Sequence, residues 1–264
     1  MRKTVTLFLI LSFILSSLAI MSSAADNGEY DGLYVVFGDS IAAGYGLDDS
    51  EFLSDNALKY VAGRDSIAYA GIISRNYNYD LKNYAVSGDD TAYMLKRMES
   101  AAVTEAIKNA DLISVSIGGN DLIDMSSTIL SRAATYEFSK NVFLVEISRT
   151  DNDILAMYKK LEENLTTIMS TLVTLNNGKG VIMLQTLYNP FKYNSSYSIS
   201  VSGYSYNVGE LIDYYIDRIN EIYVKVQTNV GGFVLVDTAS ALNNDAKSFY
   251  DIDRPDFHPT AYGH

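Results

Sequence analysis

Five short apolar runs punctuate the chain: Leu33–Phe37, Leu81–Val86, Leu112–Ile117, Val181–Leu184 and Phe233–Val236. They are rich in β-branched residues, and most are followed by Gly, Asn, Asp or Thr, which is how a buried strand reads. Between them the period changes. From Val208 to Val226, residues Leu211, Ile212, Tyr215, Ile216, Ile219, Ile222 and Tyr223 recur at three- and four-residue spacings, the apolar stripe of a helix. Further helices are expected from about Ile154 to Leu175, Ile67 to Ser74 and Thr91 to Glu99. Strands alternating with helices over the whole length predict an α/β fold, a parallel sheet covered on both faces. No repeat, low-complexity tract or Pro/Gly-rich linker interrupts it, so residues 26–264 are expected to form a single domain.

Two stretches fit the alternation poorly. Ser126–Thr150 reads as helical but weakly patterned, and Tyr188–Tyr206, rich in Tyr and Ser, reads as a long surface loop. Both follow strand ends, where ligands bind in open parallel sheets. Each is therefore either the wall of a cleft or an ordinary solvated loop.

The N-terminus has a different character. Arg2 and Lys3 precede an apolar run, Val5 to Met21, that ends in Ser22-Ser23-Ala24-Ala25. This is the pattern of a signal peptide over residues 1–25. The run approaches spanning length, so a membrane anchor is the competing reading. The small-residue exit favours cleavage near Ala24 or Ala25 and a secreted chain with no stable membrane insertion. There is no Cys, so the chain has neither a lipid-anchored cysteine nor disulfides.

Composition narrows the partners. With 48% hydrophobic and 20% charged residues in 264, the chain has material for a full core. A formal net charge of −12 argues against nucleic-acid partners and against docking on anionic membranes.

The strand exits carry the candidate chemistry: Gly38-Asp39-Ser40, Ser87-Gly88-Asp89-Asp90, Gly118-Gly119-Asn120-Asp121 and, near the end, Asp253-Arg254-Pro255-Asp256-Phe257-His258-Pro259. Acyl transfer needs a nucleophile, a base for its proton and donors aimed at the developing oxyanion. Serine, histidine, a backbone N–H at glycine and an asparagine amide meet those needs. Only two histidines exist, His258 and His264, so a Ser–His mechanism has two possible bases. Each residue also has an ordinary use: Ser40 as a helix N-cap, Gly88 as a positive-φ turn, Asn120 or Asp121 as caps. Taken together at successive strand exits, they favour a site. Asp39, Asp89 and Asp121 read as caps rather than metal ligands, because no histidine accompanies them. Asp151-Asn152-Asp153 reads as a helix start rather than a calcium loop. The 21 tyrosines suit either a sugar-binding cleft or amphipathic surface packing.

VVFGDSIAAGYG, NYAVSGDDT, SVSIGGND and DFHPTAYGH, in that order, resemble the four blocks of the SGNH hydrolases, the GDSL esterase/lipase family. The resemblance runs from residue 34 to the end. It implies a flavodoxin-like three-layer α/β/α sandwich with a five-stranded parallel sheet, and hydrolysis of an ester without a metal or other cofactor. It implies Ser40 as nucleophile, His258 as base, and Ser40, Gly88 and Asn120 as the oxyanion hole. The substrate class stays open between lipid acyl esters and acyl groups, such as acetyl, on polysaccharides. A catalytically inactive glycan-binding module using the same cleft is the alternative from a different class. The chain departs from the family pattern twice. The acid usually stands three residues before the histidine, where Pro255 is found; Asp256 is the expected substitute, with Asp253 or a main-chain carbonyl near Pro255 as alternatives. The chain also stops at His264, where the family usually begins a closing helix.

Overall fold

A computed structural model describes residues 30–47, 61–135, 149–193, 197–201, 204–249 and 256–264. The expected signal segment, Asp253, Pro255 and the middle of Ser126–Thr150 lie outside the described residues. In chain order the elements are strand β1 (Gly32–Gly38), helices α1 (Ser40–Ala43) and α2 (Tyr69–Asn76), strand β2 (Tyr79–Asn83), helices α3 (Thr91–Met98) and α4 (Ala101–Asn109), strand β3 (Leu112–Ser116) and helix α5 (Gly119–Thr135). Then follow helix α6 (Asn152–Asn176), strands β4 (Val181–Gln185), β5 (Ser198–Val201) and β6 (Tyr204–Asn207), helix α7 (Val208–Val230), strand β7 (Val234–Val236) and helix α8 (Thr238–Asn243).

Five strands form one sheet in the order β2-β1-β3-β4-β7, every neighbouring pair parallel. This is the doubly wound, flavodoxin-like order. The chain leaves β1 for β2 on one side and returns to β3 on the other, so the switch in direction falls between the carboxyl ends of β1 and β3.

The period-2 pattern sets the two faces. Val35, Ile113 and Ile182 stand in register across β1, β3 and β4, as do Phe37, Val115 and Leu184 one pleat further on. All are buried in the larger core, against α3, α4, α5, α6 and α7. Leu161, Leu165, Ile168 and Leu172 of α6 recur on one helix face and are fully buried there. Burying each such side chain stabilises the fold by about 1.5–3 kcal/mol. The opposite face carries Tyr34 and Val36 against the small residues Ala42, Ala43 and Ala70 of α1 and α2.

The expected long helices are all present; Asp151 caps α6, accepting from the N–H groups of Asp153 and Ile154. Helix α4 is not among the elements expected from periodicity, because its apolar face is only Val103, Ala106 and Ile107. Strand β2 is half-buried at the sheet edge and ends at Asn83, short of the expected Val86, although Tyr84 and Val86 still donate to Val36 and Gly38 of β1. Tyr188–Tyr206 is not simply a surface loop. Tyr188, Asn189, Phe191 and Tyr206 are buried, and its later part forms the antiparallel pair β5–β6. The Asn189 amide anchors the segment, donating to the Gly209 carbonyl at 2.8 Å and to Asp213 at 2.6 Å while its oxygen accepts from Phe191 N–H.

Candidate active site

The site is built at the topological switch point. Strand β1 ends at Gly38, whose φ of +146° and close approach to β3 admit no side chain: a Cβ there would lie 2.0 Å from the Ser116 carbonyl oxygen. That approach lets Asp39 N–H donate to Ser116 O at 3.1 Å and turns the chain into α1. Asp39 caps this short helix, accepting from Ile41 N–H at 3.0 Å, as its sequence position suggested. Ser40, one residue on, is thereby held at the sheet's carboxyl edge.

His258 arrives from the other end of the chain. Its Nε2 lies 2.8 Å from Ser40 Oγ, and its Nδ1 lies 2.5 Å from Asp256 Oδ1. A carboxylate oxygen only accepts, so Nδ1 carries the hydrogen and Nε2 presents its lone pair to the serine hydroxyl. The two-residue spacing works because the Asp256 side chain folds over the turn and also accepts from His258 N–H at 3.1 Å. One carboxylate therefore holds both the main chain and the ring. Asp253 and the Pro255 carbonyl lie outside the described residues.

The histidine loop is fixed from three sides. The buried Tyr188 hydroxyl donates to the Phe257 carbonyl at 2.7 Å, Thr260 N–H donates to Ser248 O at 2.9 Å, and the Tyr45 ring packs on the imidazole with centroids 4.9 Å apart. Sequence reasoning missed Tyr45 and Tyr188; nothing local to either residue signals the contact.

Asn120 lies in the first turn of α5 and its Nδ2 donates to the Asp89 carbonyl at 2.8 Å. An amide nitrogen has two hydrogens, so one is left for a ligand. Gly88 immediately precedes Asp89, with φ at +87° and its surface exposed. Ser40, Asn120 and His258 line one pocket; Gly88 lies on the adjoining loop and does not.

The cavity volume of that pocket is about 80 Å³. Leu122, Ile123, Leu187, Ile212, Ile216 and Phe257 make its walls largely apolar. Ile212 and Ile216 belong to the apolar stripe of α7, which periodicity alone assigns to the core. Tyr188 is the single tyrosine lining it among the described residues. Tyr34, Tyr215 and Tyr223 are instead fully buried, which corrects the expectation of a sugar cleft or surface packing for these three.

Two carboxyls near the site are perturbed. Burial pushes Asp39 up from 3.8 to about 7, against the stabilising pull of Ile41 N–H and His258. Burial likewise lifts Asp121 to about 6, although Thr91 hydrogen bonds oppose it. No group of three or more His, Cys, Asp or Glu side chains among the described residues could hold a metal ion.

The comparisons with known proteins converge. The model of the GDSL-like Lipase/Acylhydrolase family matches residues 36–264. The spore germination lipase LipC of Bacillus licheniformis is 26% identical over 189 residues, covering 72% of this chain and 74% of the relative. Among solved structures, phospholipase A1 from Streptomyces albidoflavus aligns with a TM-score of 0.60 at 19% identity, covering 88% of this chain and 94% of that one. Axe2, an acetylxylan esterase from Geobacillus stearothermophilus, aligns with a TM-score of 0.51 at 17% identity, covering 89% of each chain.

Proposed function

From its place in the GDSL-like lipase/acylhydrolase family, to which the chain belongs and which makes it a carboxylic ester hydrolase, we propose that Ser40, His258 and Asp256 hydrolyse lipid-type acyl esters. The observation that carries this reading is the 2.8 Å contact of Ser40 Oγ with His258 Nε2 at the floor of an apolar pocket.

In this mechanism His258 takes the Ser40 proton as Oγ attacks the ester carbonyl, and the Asp256 carboxylate stabilises the imidazolium that forms. The negative charge that develops on the carbonyl oxygen meets the N–H groups of Ser40 and Gly88 and the free N–H of Asn120. Collapse expels the alcohol, which collects the proton from His258, leaving an acyl-enzyme. Water, activated by the same imidazole, then releases the acid. The apolar walls take the acyl chain, each buried methylene contributing about 0.8 kcal/mol. Export through the residue 1–25 segment completes the reading; no described helix is long and apolar enough to cross a membrane.

A panel of p-nitrophenyl esters of rising chain length tests it, with acetylated xylan beside them. The expected result is a kcat/KM that climbs severalfold per methylene from acetate, with activity and fluorophosphonate labelling both abolished by Ser40→Ala. A preference for acetylated xylan over every longer acyl ester refutes the substrate class. Absence of labelling in folded protein refutes catalysis and leaves the glycan-binding alternative. A secreted form beginning near Asp26, read by mass spectrometry, tests the export.

A further inference from the structure

Two loops meet beside Ser40, and a network outside the proposed catalytic group joins them. Asn120 Nδ2 donates to the carbonyl of Asp89, the residue after Gly88. Next to Asn120, the Asp121 carboxylate reaches back to the same loop, accepting from Thr91 N–H at 3.0 Å and from Thr91 Oγ1–H at 2.6 Å. The Thr91 hydroxyl in turn accepts from Asn164 Nδ2 of α6 at 3.0 Å. Carboxylates only accept and amide NH2 groups only donate, so the hydroxyl has a single satisfied orientation. Thr91 is 1% exposed.

Helix capping accounts for the bond from Thr91 N–H, in the first turn of α3, but not for those of its hydroxyl. Asp90 already caps α3 through Tyr93 N–H, and the loop is tied a second time where Arg97 grips the Asp89 carboxylate. The bonds from Asp121 instead cross 30 positions of sequence to a residue three beyond Gly88. They fasten one proposed oxyanion donor, Asn120, to the loop bearing another.

We propose that Thr91 and Asp121 are positioning residues that hold the Gly88 and Asn120 donors in register for the oxyanion, with Asn164 bracing Thr91 from α6. This deepens the esterase reading and rests on it. Neither residue touches the substrate. Their contribution is geometric, and displacing reacting groups by about 1 Å costs on the order of 100-fold.

The test is a double-mutant cycle with a p-nitrophenyl ester. Thr91→Val is expected to lower kcat by roughly 10- to 100-fold with KM changed less than about threefold. Thr91→Ser, which restores the hydroxyl, is expected to recover kcat to within about threefold. In an Asn120→Ala background only the Gly88 donor is left to misplace, so Thr91→Val is expected to cost a smaller factor than it does in wild type. If Thr91→Val does not fold, as judged by its melting curve, Asp121→Asn takes its place in the cycle.

A wild-type kcat in the single variant, or the same fold-loss in both backgrounds, overturns the proposal while leaving the esterase reading intact. Unchanged kcat in Asn120→Ala alone removes the oxyanion assignment itself, and the proposal with it.

Discussion

Replacing Asp39 by Asn is expected to stabilise the protein at neutral pH and not at acid pH. Asp39 is 2% exposed, and burial lifts its carboxyl from 3.8 to about 7. Below about pH 4 both folded and unfolded chains hold this proton, and the group contributes no pH dependence. Between about pH 4 and 7 the unfolded chain ionises while the folded one stays protonated. The folded state then binds more protons, so stability falls as pH rises. The shift of roughly three units at 1.36 kcal/mol each sets the total loss at about 4 kcal/mol, an order-of-magnitude figure. Asparagine keeps an oxygen for Ile41 N–H but has nothing to ionise. At pH 8 the Asp39→Asn protein is therefore expected to exceed wild type by about 2 kcal/mol or more, roughly 4–8 °C in Tm for a chain of this size. Urea titrations or thermal melts of both proteins from pH 4 to 8.5 measure the difference, to which Asp121, present in both, contributes equally. A difference that stays flat with pH, or a variant less stable at pH 8, refutes the reasoning.

Three other outcomes are expected. Asp256→Asn removes the negative charge that keeps the hydrogen on His258 Nδ1 and stabilises the imidazolium, and is expected to lower kcat/KM by about 10²–10⁴-fold, whereas Asp253→Asn stays within a few-fold; steady-state kinetics on both variants decides between them. Ile216→Trp fills the pocket from α7 and is expected to shift the preference toward shorter acyl esters in a chain-length panel, with activity on acetate retained. Gly38→Ala sets a Cβ 2.0 Å from Ser116 O in a backbone conformation that side chains avoid, and is expected to cost several kcal/mol, seen as loss of a cooperative melt.

The order of motifs and the alternation of periods were enough to read the fold class, because a strand buried on both faces must be apolar throughout and a covering helix must carry a stripe. The residues at the strand exits were legible for a related reason: in a parallel sheet each exit lies at the same edge, so Ser40, Gly88 and Asn120 share a neighbourhood whatever their separation in sequence. The i−2 spacing of Asp256 was readable only as one choice among several, since a side chain can fold over a turn or point away from it.

What the order of residues along the chain dictates here is local: where each strand stops, which turn demands glycine, which carboxylate caps which helix. What depends on folding is everything measured across the sheet. Ile212 and Ile216 carry the same periodic signal as the core positions of α7, yet the fold sets them in the pocket wall with Ser40 and His258. Tyr45, Tyr188 and the Thr91–Asp121–Asn164 link acquire their partners from segments tens or hundreds of positions away. Hydrogen bonds and van der Waals contacts act over a few ångströms of space. Sequence proximity reports that distance only within a turn or along a single element.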